Sequence, residues 1–258
     1  MVDARTWISR AALIGIPLSL SLSLACAGRP PDGEIDPFEN SPRQRAMVDA
    51  IAAALAGPMK ERSPEEALLV EREDLYAPLT IEQRNFLEAI RHIEGADPTR
   101  AVASENDWIR IEDRRVRGPS GERVLSLQLL PRRVGLAFRR MDAAMRADLG
   151  RGLLIGSGYR TPANQLFIFV SYMPYYDYSP TKTLLHVSLP GASDHNRVER
   201  QGIDFVSEEG VDLRYSDAEA FRALDEYAWL VANAARFGFE DQGPGGLSPW
   251  HWHFIDEP

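Results

Sequence analysis

Trp250-His251-Trp252-His253-Phe254 alternates aromatic and imidazole side chains close to the C-terminus. Successive side chains of a β-strand point to opposite faces. Read as a strand over Trp250 to Ile255, the run turns its tryptophans away from its imidazoles. The tryptophans pack as core, and both imidazoles aim at one point.

The elements before this strand are of both kinds. Met47 to Leu55 is an Ala-rich helical stretch with apolar residues at 47, 51 and 55. Ser63-Pro64-Glu65-Glu66 opens a short helix, with Ser63 as N-cap and Pro64 in the first turn. Thr80-Ile81-Glu82-Gln83 opens another, with Gln83 in capping-box position. Trp108 to Ile111 and Arg123 to Leu129 read as strands separated by the turn Gly118-Pro119-Ser120-Gly121. Val134 to Leu149 is an amphipathic helix ended by Gly150, Leu153 to Ile155 a buried strand and Pro162 to Tyr172 a helix. A capping signal at Ser216-Asp217-Ala218-Glu219 opens a helix closed by Gly238. The mixture predicts an α+β fold: a small antiparallel sheet with flanking helices, plus a helical N-terminal extension.

The 258 residues are 44% apolar and 9% aromatic, enough for a proper core. With 29 basic against 38 acidic residues, the chain lacks the net basic character of a nucleic-acid binder. Its lone cysteine, Cys26, excludes a disulfide scaffold and a zinc knuckle of the Cys-x-x-Cys kind. Residues 1–26 resemble an export signal: Arg5 and Arg10 precede an apolar run from Ala11 to Ala25, too short to span a bilayer comfortably. Ser23-Leu24-Ala25-Cys26 resembles a bacterial lipoprotein signal with Cys26 lipidated, although Ser23 stands where that motif prefers Leu. Ordinary secretion is the alternative. Both readings export the protein, and the first anchors it by lipid in the periplasm or at the outer membrane. Residues 27–43, with four prolines and two glycines, read as a tether. Residues 44–105 form the helical region, which carries no catalytic constellation, and 106–258 the domain with the chemistry.

Five histidines are present: His92, His186, His195, His251 and His253. A histidine in a strand is more often a packed or surface residue than a metal ligand, and a His-x-His pair alone is weak evidence. Here His195 offers a third nitrogen and Asp204 a carboxylate. Two histidines and one aspartate leave a fourth position for water, as in a catalytic zinc site.

The order of blocks in the second half carries a resemblance. Ser157-Gly158-Tyr159-Arg160 is followed five residues after the arginine by Gln165. Pro190-Gly191-Ala192-Ser193-Asp194-His195, then Asp204, then Trp229-Leu230, Asn233-Ala234 and Gly238-Phe239, and last Pro249-Trp250-His251 follow in turn. These blocks, across about residues 131–254, resemble the zinc D-alanyl-D-alanine carboxypeptidases of the VanY kind. The resemblance implies a Zn2+-dependent hydrolase of peptidoglycan stem peptides. It also implies that Arg160, Gln165 and Ser193 meet the substrate.

Two departures accompany it. His195 and Asp204 are nine apart, where the family spaces them seven apart. The family also carries a glutamate, the general base, three residues before its last metal histidine. For His251 that position is Ser248, which cannot take a proton at neutral pH. Two registers follow. In one, His251 is the last ligand. In the other, as in related murein endopeptidases, His253 binds the metal and His251 handles the proton. Chemistry favours the second, giving His195, Asp204 and His253 as ligands with His251 and Arg160 catalytic. The alternatives are a catalytically silent domain that binds peptidoglycan or a partner, and a murein endopeptidase. Ser179-Pro180-Thr181-Lys182 spells the nucleophile motif of penicillin-binding serine enzymes. It lies in a Tyr/Pro segment rather than at a helix start, and no Lys-Thr-Gly occurs. The run Tyr172, Tyr175, Tyr176 and Tyr178 reads either as a cleft rim or as loop packing.

Overall fold

The computed structural model describes residues 37–91, 107–118, 121–211, 218–241 and 248–255. The export signal, Cys26, most of the tether, His92 and the capping signal at Ser216 lie outside them.

Four helices come first: α1 (Pro42–Glu61), α2 (Pro64–Leu68), α3 (Arg72–Tyr76) and α4 (Ile81–Arg91). Their caps form as read. Ser63 Oγ accepts from the Glu66 amide while the Glu66 carboxylate accepts from the Ser63 amide, and Thr80 and Gln83 make the same exchange. Met47, Val48, Ile51 and Leu55 of α1 recur at helical spacing and are buried, as are Phe86, Leu87 and Ile90 of α4. They share one core with Leu166, Phe169 and Val170 of α6 (Pro162–Tyr172).

A second core forms around a sheet. Strands β5 (Leu153–Ser157), β6 (Gln201–Ser207), β8 (His251–Phe254) and β7 (Phe239–Asp241) lie in that order, all antiparallel. Alternation sends Ile203 and Phe205 of β6, with Trp252 and Phe254 of β8, into this core. They pack on α5 (Arg132–Leu149), through Val134, Phe138, Met141 and Met145, and on Trp229 and Leu230 of α9 (Asp225–Asn233). The other face of β6 and β8 carries Gly202, Asp204, His251 and His253.

Arg123 to Leu129 is not one strand. β2 (Arg115–Gly118) and β3 (Gly121–Val124) form a hairpin, and β4 (Gln128–Pro131) pairs instead with β1 (Trp108–Ile111). Between β3 and β4 the chain turns inward: Leu125 is buried and its amide bonds the Arg114 carbonyl. The helix after residue 217 is also broken, into α8 (Ala218–Arg222) and α9.

Candidate active site

The site stands on the polar face of the sheet. β6 and β8 pair with Asp204 opposite His251 and Gly202 opposite His253. That register brings the Asp204 carboxylate to the nearer of the two imidazoles: His251 Nδ1 lies 2.7 Å from Asp204 Oδ1. A 3-10 turn at Asp194–Asn196, just before β6, adds His195, whose Nε2 is 3.2 Å from Asp204 Oδ2. One ligand atom each from His195, Asp204 and His251 all lie within 4.8 Å of one another. Zinc ligands at the vertices of a tetrahedron stand roughly 3.3 Å apart, given metal–ligand bonds of about 2.0–2.1 Å. This N, O, N set fits such an ion with a fourth position open.

His195 is pre-set for that task. Its Nδ1 donates to the Gly158 carbonyl at 2.9 Å, which leaves Nε2 unprotonated toward Asp204. Gly158 in turn packs directly on β4, where a Cβ would collide with the Leu129 carbonyl oxygen. Asn196 Nδ2 donates to the Arg160 carbonyl at 2.8 Å, and the Arg160 amide donates to the His195 carbonyl at 3.1 Å. The Ser-Gly-Tyr-Arg segment and the His195 turn are therefore built as one piece.

The electrostatics follow from burial among opposite charges. For Asp204, burial opposes ionisation, but the charges and hydrogen bonds of His195 and His251 outweigh it and hold the carboxyl far below its usual range. Burial also opposes charge on His251, yet the neighbouring carboxylates of Asp194 and Asp204 raise it to about 9. His195, buried and facing the Arg160 charge, is lowered to about 4 despite Asp204.

The expected site residues fall into separate positions. His195 and Asp204 meet, but the second strand histidine that joins them is His251. His253, expected as the ligand, is turned onto Asp194, with Nε2 2.8 Å from Oδ2. The reason is the strand register, which sets His253 opposite Gly202, two residue pairs along from Asp204. Arg160 donates from Nε to Gln165 Oε1 at 2.6 Å and from Nη1 to Ser157 Oγ at 2.7 Å. It makes no ion pair with a described residue. Burial lowers it to about 10, against the pull of Asp204. Gln165, expected to line the cleft, is buried and spent on orienting Arg160, its amide donating to the Ser188 carbonyl. Ser193 is buried at the N-cap of the 3-10 turn. Asp194 was not expected. Its signal in the sequence is a carboxylate directly beside the ligand-type His195.

The Ser179 motif has a packing explanation. Contrary to the sequence reading, Ser179 does start a helix, α7 (Pro180–Thr183). Its hydroxyl accepts from the Lys182 amide, while Lys182 Nζ pairs with Asp177 at 2.6 Å. His186 lies in a turn and stacks on Tyr176 with ring centroids 4.3 Å apart.

The sheet, the flanking helices and the His-Asp-His face define a mixed α+β domain with the donor set of a metallohydrolase. The family model of VanY, D-alanyl-D-alanine carboxypeptidase, matches residues 128–257, and the chain belongs to that family. No curated protein matches the chain. Among solved structures, the LdcB LD-carboxypeptidase is 23% identical with a TM-score of 0.45, over 59% of this chain and 69% of its own. A mutant of the vancomycin-resistance D,D-pentapeptidase VanY in complex with Zn(II) is 22% identical with a TM-score of 0.39, over 56% and 80%. VanYB in complex with D-alanine-D-alanine is 23% identical with a TM-score of 0.39, over 55% and 78%.

Proposed function

We propose that the protein is an exported zinc carboxypeptidase that removes the terminal D-alanine from peptidoglycan stem peptides. The observation that carries this reading is the convergence of His195, Asp204 and His251 beside Arg160, which has no carboxylate partner among the described residues. His195 Nε2, Asp204 and His251 Nδ1 would hold the ion. A zinc ion so held supplies Lewis acidity toward a carbonyl and an acidified water.

The chain's own residues account for recognition. Arg160 is fixed by Ser157 and Gln165 at two of its nitrogens, which leaves Nη2 for a ligand. A guanidinium presented this way pairs with the carboxylate or carbonyl oxygen of a peptide terminus. The sequence reading gave His251 the proton; with Nδ1 on Asp204, we assign it to the metal instead.

A second reading is favoured by Ser248 at the position of the family's glutamate: a domain of the same fold that binds stem peptides without cleaving them. Zinc-loaded protein given a pentapeptide stem separates the two. Free D-alanine, abolished by a chelator, supports the enzyme; peptide binding without product supports the silent domain. Cleaved cross-links would instead mark an endopeptidase. Export through residues 1–26 and anchoring at Cys26 belong to the same proposal. Mass spectrometry of the mature protein from a bacterial host tests them, the expected result being a lipid-modified N-terminus at Cys26. No helix among the described residues is long and apolar enough to cross a membrane.

A further inference from the structure

The ring of His251 lies between two carboxylates. Its Nδ1 faces Asp204 at 2.7 Å, and its Nε2 faces Asp194 Oδ2 at 3.9 Å. The two nitrogens of an imidazole point to opposite sides of the ring, so Asp194 stands behind His251 relative to Asp204 and His195. Asp194 is itself held. His253 Nε2 meets the same Oδ2 at 2.8 Å, and Arg200 Nη2 faces His253 Nδ1 at 3.4 Å. With an arginine donor at Nδ1, that nitrogen is the acceptor, and the His253 proton lies on Nε2, toward Asp194.

The local sequence makes this approach possible. Strand alternation puts His251 and His253 on one face, and β6 offers Gly202 opposite His253. A Cβ at 202 would lie 2.9 Å from Asp194 Cβ and 3.0 Å from His251 Cε1. The missing side chain is the space into which Asp194 fits.

The group Asp194, His251 and His253 also has the composition of a cation site of its own. Two positive side chains weigh against that use: Arg200 at His253, and Arg197, whose Nε is 3.7 Å from Asp194 Oδ1. A divalent ion there would sit among fixed like charges.

We infer that Asp194 and His253 are positioning residues for the metal ligand His251: the Asp194 carboxylate, at ion-pair distance behind Nε2, favours the proton on that nitrogen and so turns the Nδ1 lone pair to the metal side, and His253 holds Asp194 there. A carboxylate bound to the far nitrogen of a ligand histidine fixes its tautomer and raises its basicity. The inference rests on His195, Asp204 and His251 being the ligands.

The test is zinc affinity by competition with a chromophoric chelator, together with the visible spectrum of the cobalt(II)-substituted protein. The wild type is compared with Asp194→Ala, Asp194→Asn, His253→Ala and His253→Gln. The expected result is one zinc per chain throughout, with affinity lowered roughly 10–100-fold in Asp194→Ala and a shifted cobalt spectrum. Asp194→Asn, nearly isosteric, loses less and gives the reading if the alanine variant does not fold. His253→Ala weakens binding, and His253→Gln, which keeps a donor toward Asp194, restores part of it. Unchanged affinity and spectrum in the Asp194 variants overturn the inference while leaving the ligand set standing. Zinc lost in Asp194→Ala but kept in His195→Ala overturns it too, by placing the ion in the other group. A wild type that binds no zinc removes the ligand reading itself, and this inference with it.

Discussion

The two histidines beside Asp204 are held in opposite protonation states in the metal-free protein, His251 by its neighbouring carboxylates and His195 by burial and the Arg160 charge, and this makes its stability depend on pH in a readable way. His251 is raised from 6.5 to about 9, so its contribution is complete below 6.5 and is lost as pH rises through 9. His195 is lowered from 6.5 to about 4, so its preference for the neutral ring helps above 6.5 and is lost as pH falls toward 4. Urea unfolding of zinc-free protein should therefore give its highest midpoint near pH 6.5. In His251→Gln the decline toward pH 9.5 should flatten; an unchanged alkaline limb would refute the assignment. Gly202→Ala is a second test at this scale. Its Cβ would press on Asp194 backbone and side chain and on the His251 ring, contacts that cannot relax by a rotamer change alone. Overpacking of this kind costs ~1–3 kcal/mol, and zinc affinity should fall with it. Retention of both wild-type stability and zinc affinity would show that the approach of Asp194 is not tight.

Helix α6 joins the site to the N-terminal helices. Thr161, directly after Arg160, caps α6 by accepting from the Asn164 amide, and its hydroxyl donates to the Val70 carbonyl at 2.7 Å. Its own amide donates to the Leu68 carbonyl, and Asn164 Nδ2 donates to the Ala67 carbonyl. The end of α2 and the segment that follows it are thus bonded to the start of α6, beside Arg160. Thr161→Ala removes the cap and strands a buried carbonyl, an expected loss of about 1–3 kcal/mol in urea unfolding. KM for a stem peptide should rise with it, because Arg160 loses its anchor. Wild-type KM would show that the cap is decoupled from Arg160. The same packing bears on residues 44–105, which the sequence marks only as helical. The buried faces of α1 and α4 share a core with Leu166, Phe169 and Val170 of α6. A chain beginning at residue 107 exposes that apolar surface and should aggregate or lose its cooperative transition; a soluble, cooperatively folding fragment would contradict the shared core.

Across the whole molecule, local signals made most elements legible. The caps at Ser63 and Thr80, the helix spacing of α5 and α6, and the alternation of β8 are all written within a few neighbouring residues. What was not legible is non-local. Whether Asp204 faces His251 or His253 depends on how β6 pairs with β8, 47 residues apart along the chain. The chemical preference for a histidine base pointed to the other register. Arg123 to Leu129 looked continuous because its alternation survives the inward turn at Leu125, while its true partners, Arg114 and β1, are set by the hairpin. Asp194 was passed over because its role appears only when His253 and Gly202 are laid beside it. The account stands most of all on His251, and not His253, completing the ligand set with His195 and Asp204. Bound zinc per chain, measured in His251→Ala and His253→Ala after dialysis against a weak chelator, tests this directly. Zinc lost in His251→Ala and kept, though held more weakly, in His253→Ala is the predicted result; zinc kept in His251→Ala and lost in His253→Ala would contradict it.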